Sequence, residues 1–268
     1  AALKQVPTCE FFPMQATQTN VIGSQNVISS AIQNRVAKVV SLSTDKAVYP
    51  VNALGITKAL MEKMVLSASR NISGGQTLLT LVRYGNVLFS RGSVIPLFIK
   101  QIRENKPLTL TESEMTRFLL PLPEAIKLVA FALENGQQGD TFVRKASSCT
   151  VGDIAKVLKI IFNSKSEIKI IGMRHGEKMH ETLVSKEELV RSEDMGDYLR
   201  LALDDRDLNY EKFLSEGVQK LGQLQDYNSQ NANRLSIDEI EELLTAQPEI
   251  IAALNSQMLP QGYFEKGR

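Results

Sequence analysis

The sequence predicts an α/β protein in which a doubly wound parallel sheet is joined to a smaller mixed α/β lobe. Three observations carry that expectation. Helical apolar spacing and short β-branched runs alternate along the first part of the chain, the rhythm of right-handed βαβ units. The β-branched runs end in small polar residues, as parallel strands do where their carboxyl ends face a site. Beyond Ser90-Arg91-Gly92-Ser93 the order loosens into short strands and helices that suit a second lobe.

Each element follows from its pattern. Val21 to Ile32 has helical spacing and starts after polar Thr19-Asn20. Ala37-Lys38-Val39-Val40-Ser41-Leu42 is too short for a helix and reads as a central strand. Residues from about Ala53 to Ser69 form the next helix, and Thr77 to Val82 the next buried strand, ending at Arg83-Tyr84-Gly85-Asn86. A helix from Val94 to Glu104 leads to strands at Leu108-Thr109-Leu110 and near Arg117 to Leu120. Pro123 to Asn135 is helical, Asp140 to Arg144 extended, Val151 to Phe162 helical and Ile168 to Ile171 extended. Asp226 to Asn233 reads as a long polar loop, and Ile237 to Thr245 as a short amphipathic helix. The expected division is 1–110 for the first domain, 111–209 for the smaller lobe and 210–268 for a polar tail.

Composition bounds the chemistry. A chain of 268 residues can bury a large core, and 43% hydrophobic with 23% charged residues is ordinary for a globular protein. Lys and Arg number 31 against 30 acidic residues, so the net charge of +1 gives no global reason to expect nucleic acid or a membrane surface. Anion binding must come from a local cluster. Cys9 and Cys149 lie far apart without metal-ligand spacing, and read as reduced, partly buried thiols of a cytoplasmic protein. With two His in the chain, no metal site is expected. The longest apolar runs, such as Ile126 to Leu133, are too short to span a bilayer. Ala1-Ala2-Leu3-Lys4 lacks the pattern of a secretory signal.

Ser43-Thr44-Asp45-Lys46 stands where a strand ends, with a hydroxyl, an acid and a base side by side, as general acid-base work requires. A turn whose Ser and Asp cap the next helix explains the same residues. Leu54 and Lys58 share a helix face one turn apart. Asn86, Arg91 and Ser93 surround a glycine-containing loop before a helix start, an arrangement suited to phosphate; Arg91 as a solvated loop residue is the plainer alternative. Arg174, within Arg174-His175-Gly176-Glu177-Lys178, could grip a diphosphate together with Arg91 or form a surface ion pair. His175 reads as structural or solvated. Arg117 in Met115-Thr116-Arg117-Phe118 suits either phosphate contact or packing.

Seven segments occur in order: Ala1-Ala2-Leu3-Lys4-Gln5-Val6-Pro7, Ser43 to Pro50, Arg83 to Val87, Ser90 to Pro96, Met115 to Phe118, Arg174 to Lys178, and Arg206-Asp207-Leu208-Asn209-Tyr210. In that order they resemble the capsular polysaccharide CapE/CapD group of extended short-chain dehydrogenases/reductases, over nearly the whole chain. The group includes UDP-GlcNAc 5-inverting 4,6-dehydratases of bacterial surface-glycan synthesis. The resemblance implies a Rossmann-like fold, tightly bound NADP and a UDP-sugar substrate. It also implies a homo-oligomer.

Carried over by motif, Lys46 is implied as the C5 base, Asp45 as the acid at the C6 oxygen, and Thr44 as a hydrogen-bonding group near C4. Ala1, Ala2, Lys4, Ser43, Lys58 and Tyr84 are implied to line the cofactor. Asn86, Arg91, Ser93, Arg117, Arg174 and Glu177 are implied to hold the substrate. Two departures stand out. The tyrosine of the usual Tyr-x-x-x-Lys pair falls at Leu54, as in the capsular subgroup, which leaves Thr44, a water or Tyr49 to take the C4 hydroxyl proton. No Gly-x-Gly-x-x-Gly follows a strand, so the resemblance implies that the first two or three βα units, with the pyrophosphate loop, are missing. A UDP-sugar 4-epimerase is the nearest alternative activity, and a non-catalytic binding or assembly module that kept the fold is the alternative of another class.

Overall fold

The computed structural model describes residues 2–72, 77–204 and 224–255. Helices α1 (Val6–Phe11), α2 (Pro13–Thr17) and α3 (Gly23–Gln33), with a π-helical turn at Gln18–Ile22, precede strand β1 (Lys38–Leu42). Helix α4 (Ala53–Asn71), β2 (Leu78–Arg83), α5 (Val94–Arg103), β3 (Leu108–Leu110) and β4 (Thr116–Phe118) follow. Next come α6 (Leu122–Asn135), β5 (Thr141–Arg144), β6 (Ser148–Thr150), α7 (Val151–Ile161) and β7 (Ile168–Ile170). The rest comprises β8 (Thr182–Val184), α8 (Lys186–Leu189), β9 (Ser192–Met195), β10 (Tyr198–Leu201) and β11 (Tyr227–Asn228), then α9 (Ile237–Thr245) and α10 (Pro248–Asn255).

The chain forms two compact units. The first takes Ala1–Gly85, Leu120–Ala146 and Glu181–Asn228, and the second takes Asn86–Leu119, Ser147–His180 and Ser229–Arg268. In the first unit a five-stranded sheet has the order β1-β2-β5-β10-β9. Strands β1, β2 and β5 run parallel, with Leu81 of β2 opposite both Ser41 and Thr141. Leu79 and Leu81 pack against Ile28 of α3 and Met61 and Val65 of α4, whereas Val82 packs against Leu128 and Ala132 of α6. Successive side chains of β2 therefore enter opposite apolar layers, which is why the strand reads as a continuous apolar run and the sheet is doubly wound. Each fully buried leucine of this kind is worth about 1.5–3 kcal/mol.

The hairpin β9–β10 extends this sheet antiparallel to β5, an addition that the periodicity does not announce. It turns at Gly196, whose φ of +75° suits glycine. Ion pairs from Arg200 to Asp140 at 2.7 Å and from Lys145 to Asp194 at 2.6 Å join it to the neighbouring chain. A second correction concerns the expected loop at Asp226 to Asn233: Tyr227 and Asn228 pair with β8 as β11. The Tyr227 hydroxyl also donates to the Ala146 carbonyl at 3.1 Å. A pairing of two residues carries no apolar alternation, so the polar sequence hides it. A third difference lies before Val21, where α1 and α2 begin with Pro7 and Pro13 at their first turns, a position that tolerates the missing N–H.

In the second unit, Phe98, Ile99, Leu108, Leu110, Ile154, Leu158, Ile240 and Leu244 form one core. Around it β3 pairs parallel with β7, and β4 pairs antiparallel with β6. Cys9 and Cys149 are both free and fully buried, deeper than their sequence context suggests. Burial and the neighbouring Asp153 push the Cys149 thiol up to about 12, so it is inert at neutral pH. Among the described residues no helix is long and apolar enough to cross a membrane, and no group of His, Cys, Asp or Glu could hold a metal ion.

Candidate active site

The ladder of β1 continues past the strand's last residue. Ser43 N–H donates to the Val82 carbonyl at 2.7 Å, and Asp45 N–H to the Tyr84 carbonyl at 3.1 Å. The chain then closes a 3-10 turn over Asp45–Ala47, with Thr44 as its N-cap. Thr44 Oγ1 donates to Asp45 Oδ1 at 2.9 Å and accepts the Lys46 N–H at 3.4 Å. Capping and acid-base potential thus coexist here, with Thr44 supplying the cap.

Asp45 is fully buried and Lys46 is partly exposed; its Nζ lies 3.0 Å from Asp45 Oδ1 and 3.3 Å from Glu181 Oε1. Oδ1 of Asp45 therefore serves both Thr44 and Lys46, whereas Oδ2 is buried with no hydrogen-bond partner among the described residues. Such an oxygen is costly to leave unmatched, which marks the place where a ligand's polar group would fit. Glu181, nearly fully buried just before β8, was not singled out from sequence. A carboxylate at the edge of apolar Thr182-Leu183-Val184 is the signal that could have revealed it.

Helix α4 is held against this turn. Asn52 caps it, accepting the Gly55 N–H at 2.8 Å. A Cβ at Gly55 would run into the Lys46 carbonyl oxygen and lie 3.0 Å from Pro50 Cβ, so only glycine allows the approach. Leu54 is buried with Cys9 and Ala16 in an apolar cluster. Lys58 donates from Nζ to the Leu42 carbonyl at 2.8 Å, and burial holds its ammonium below the ordinary lysine range.

The other expected cofactor residues are spread along this unit. Ser43 is buried and its Oγ lacks a partner among the described residues. Burial raises the Tyr84 phenol. Ala2 and Lys4 are exposed and belong to no strand. Between them, Leu3 has its N–H and carbonyl taken by the Asn20 side chain at 2.9 and 3.0 Å, which replaces strand pairing. Ala1 and the segment Arg206 to Tyr210 lie outside the described residues. Tyr49 is half exposed with φ of +47°, and its hydroxyl donates to Asp226 Oδ1 at 3.2 Å. Burial and Asp226 together raise its pKa, which weakens the case for Tyr49 as a proton acceptor.

The expected substrate residues all fall in the second unit. Ser93 is the N-cap residue of α5 but makes no side-chain cap bond. Its Oγ, like Asn86 Oδ1, is buried with no hydrogen-bond partner among the described residues. Arg91 is exposed. Arg117 donates to the Thr116 carbonyl at 2.7 Å and to that of Met179 at 3.3 Å, so part of its guanidinium is engaged by the backbone. Arg174 is exposed and lies 3.8 Å from Glu177.

A second group that the sequence did not reveal centres on Arg83 at the end of β2. Its guanidinium meets Glu62 of α4, Glu188 of α8 and the Leu183 carbonyl of β8. Through these bonds one buried cation ties together the helix that carries Lys58 and the strand that follows Glu181.

Comparison with known proteins agrees with this architecture. A family described as polysaccharide biosynthesis protein matches residues 1–203, and its carboxyl-terminal companion matches residues 204–250. A protein of Rickettsia felis named UDP-glucose 4-epimerase is 57% identical over 244 residues, covering 91% of this chain and 72% of the relative. One of Rickettsia bellii with the same name is 55% identical over the same length. Among solved structures, Pen from Bacillus thuringiensis is 34% identical with a TM-score of 0.82, covering 92% of this chain and 73% of that one. The UDP-N-acetylglucosamine 4-epimerase of Methanobrevibacter ruminantium, in complex with UDP-N-acetylmuramic acid, shares the fold at 19% identity and a TM-score of 0.63, covering 96% of this chain and 76% of that one. The chain therefore belongs to the polysaccharide biosynthesis protein family, a group of sugar-nucleotide-modifying enzymes with the short-chain dehydrogenase/reductase fold.

Proposed function

We propose that the enzyme performs NADP-dependent 4,6-dehydration of a UDP-N-acetylhexosamine, with inversion at C5, for a bacterial capsule or surface polysaccharide. The observation that carries this reading is the contact between Lys46 and Asp45, a base and an acid on one turn. Dehydration needs a base for the C5 proton and an acid for the departing C6 oxygen; epimerisation at C4 needs neither. Lys46, as its neutral amine, takes the C5 proton. Asp45 acts as the acid that delivers a proton to the C6 hydroxyl, which leaves as water. Thr44 orients the sugar near C4.

NADP, when bound, supplies reversible hydride transfer with the sugar. Ala1, Ala2, Lys4, Ser43, Lys58 and Tyr84 would hold it; the unmatched Ser43 hydroxyl and the half-buried Lys58 ammonium suit a polar ribose and amide. Asn86, Arg91, Ser93, Arg117, Arg174 and Glu177 would hold the UDP-sugar. The amino-terminal end of α5, with the Ser93 hydroxyl unmatched among the described residues, suits a phosphate. In this reading the enzyme is a cytoplasmic homo-oligomer.

A second reading, UDP-sugar 4-epimerase, is favoured by the names of the relatives that are 55–57% identical. Product mass separates the two. Incubating the intact enzyme with NADP and UDP-GlcNAc is expected to yield a keto sugar lighter by one water. An unchanged mass with inversion at C4 would establish the epimerase instead. Lys46→Ala is expected to lower turnover by about 10²–10⁴-fold, the range for general acid-base groups.

A further inference from the structure

We propose that Glu181 is a positioning residue that fixes the Lys46 ammonium from a separate segment of the chain and sets the pH at which that amine becomes free. The proposal rests on the reading of Lys46 as the C5 base. Lysine carries its charge on a flexible four-carbon stem, and Asp45 belongs to the same three-residue turn. One contact from the same turn leaves Nζ free to swing. Glu181 adds a second contact at 3.3 Å from a different segment, so Nζ is held between two elements.

That second segment is itself anchored. Leu183 gives its carbonyl to Arg83 at 2.9 Å, and β8 pairs with β11. Glu181 is 3% exposed, and a carboxylate is buried to that extent when a charge or a hydrogen bond answers it. Among the described residues, other titratable groups near this turn have partners of their own, as Tyr49 does in Asp226. Lys58 of α4 donates to the Leu42 carbonyl, and Glu62 of α4 binds Arg83. Tyr84, whose carbonyl receives the Asp45 N–H, is a phenol kept neutral by burial. His180, which precedes Glu181, places its ring Nδ1 2.8 Å from Thr116 Oγ1. Among the described residues, Asp45 and Glu181 are the carboxylates that pair with Lys46. A nearby anion favours the charged form of lysine, and also makes the neutral amine a stronger base.

The test reads the amine directly. Lys46 in the intact unliganded protein is labelled with an amine-selective reagent across a pH series, and the peptide carrying it is followed by mass spectrometry. Glu181→Gln keeps the shape and removes the charge. The labelling midpoint of Lys46 is expected to fall by about one pH unit in this variant. In turnover assays, kcat is expected to drop by about 10²-fold, as for a misplaced catalytic group, with KM nearly unchanged. A midpoint equal to that of the unaltered protein would overturn the proposal. Glu181→Asp keeps the charge and withdraws it by one methylene. This variant is expected to retain the labelling midpoint and lose turnover, and it carries the test if the Gln variant does not fold; full turnover in it would also overturn the proposal. Labelling is indifferent to the sugar chemistry, so a product of unchanged mass would remove the dehydratase reading and leave the labelling result to be judged separately.

Discussion

Arg83 and Glu62 meet fork to fork, Nε to Oε1 at 3.1 Å and Nη2 to Oε2 at 2.7 Å, with both side chains buried. Glu188 takes two further N–H groups of Arg83 on its other side, so one cation answers two acids. Removing the cation is the harsher change, because a buried and a partly buried carboxylate are then left without it. Arg83→Met is expected to cost about 3–5 kcal/mol. Glu62→Gln, which leaves Arg83 paired with Glu188, is expected to cost about 1–3 kcal/mol. Urea unfolding midpoints of the two variants check the order.

The same cluster sets an acid sensitivity. Burial alone raises the Glu188 carboxyl, but the Arg83 charge and its bonds, with those from Ser185, outweigh it and hold the group below its ordinary value of 4.5. A depressed native pKa means the stabilisation is complete above the unfolded value and is lost as pH falls through the native one. Glu188→Gln is therefore expected to flatten the acid limb of stability against pH, measured by thermal melts from pH 7 downward.

Gly55 tests how tightly α4 must approach the Lys46 turn. In an open helix Gly→Ala stabilises by about 1 kcal/mol. Here the added methyl meets the Lys46 carbonyl, so Gly55→Ala is expected to reverse that sign and to lower kcat as well. Melting temperature and turnover measured on one preparation decide it.

Leu54 occupies the position of the usual tyrosine, yet its side chain belongs to the cluster with Cys9 and Ala16. Leu54→Tyr is expected to overpack that cluster, cost about 1–3 kcal/mol and bring no gain in turnover. A gain would mean that a phenol at this position reaches the sugar.

Lys58 opposes stability to function. Burial lowers its native pKa, so the unfolded chain binds the extra proton and stability rises with pH from the native value toward the ordinary 10.5. Lys58→Met is expected to remove that rise and leave stability at neutral pH equal or higher. Loss of NADP binding in the same variant, followed by cofactor fluorescence, would support its place at the ribose.

The legible part of the fold was the part with one-dimensional signatures. Strand β2 enters two apolar layers and so reads as an apolar run; α4 and α5 show their periods; and the small polar residues after β1 mark a site. The Arg83 cluster was hidden because Glu62 and Glu188 lie 21 and 105 positions away, and charges on separate elements have no spacing rule. Glu181 was hidden for the same reason. The hairpin β9–β10 went unread because Ser192, Glu193 and Asp194 offer no apolar face and ion pairs help to attach it. The engagement of Arg117 by the Thr116 and Met179 carbonyls is likewise invisible in a lone arginine beside an aromatic.

The first unit collects its sheet from three stretches of chain, with Leu81 of β2 waiting for Thr141 and Phe142 of β5 waiting for Arg200. During synthesis β2 emerges long before β5, its next neighbour in the sheet, since Thr141 lies sixty positions after Leu81. Contacts so far apart in sequence slow folding and expose strand edges in the meantime. Until β5 arrives, β2 presents an open edge to other chains, and that interval is the one most exposed to aggregation.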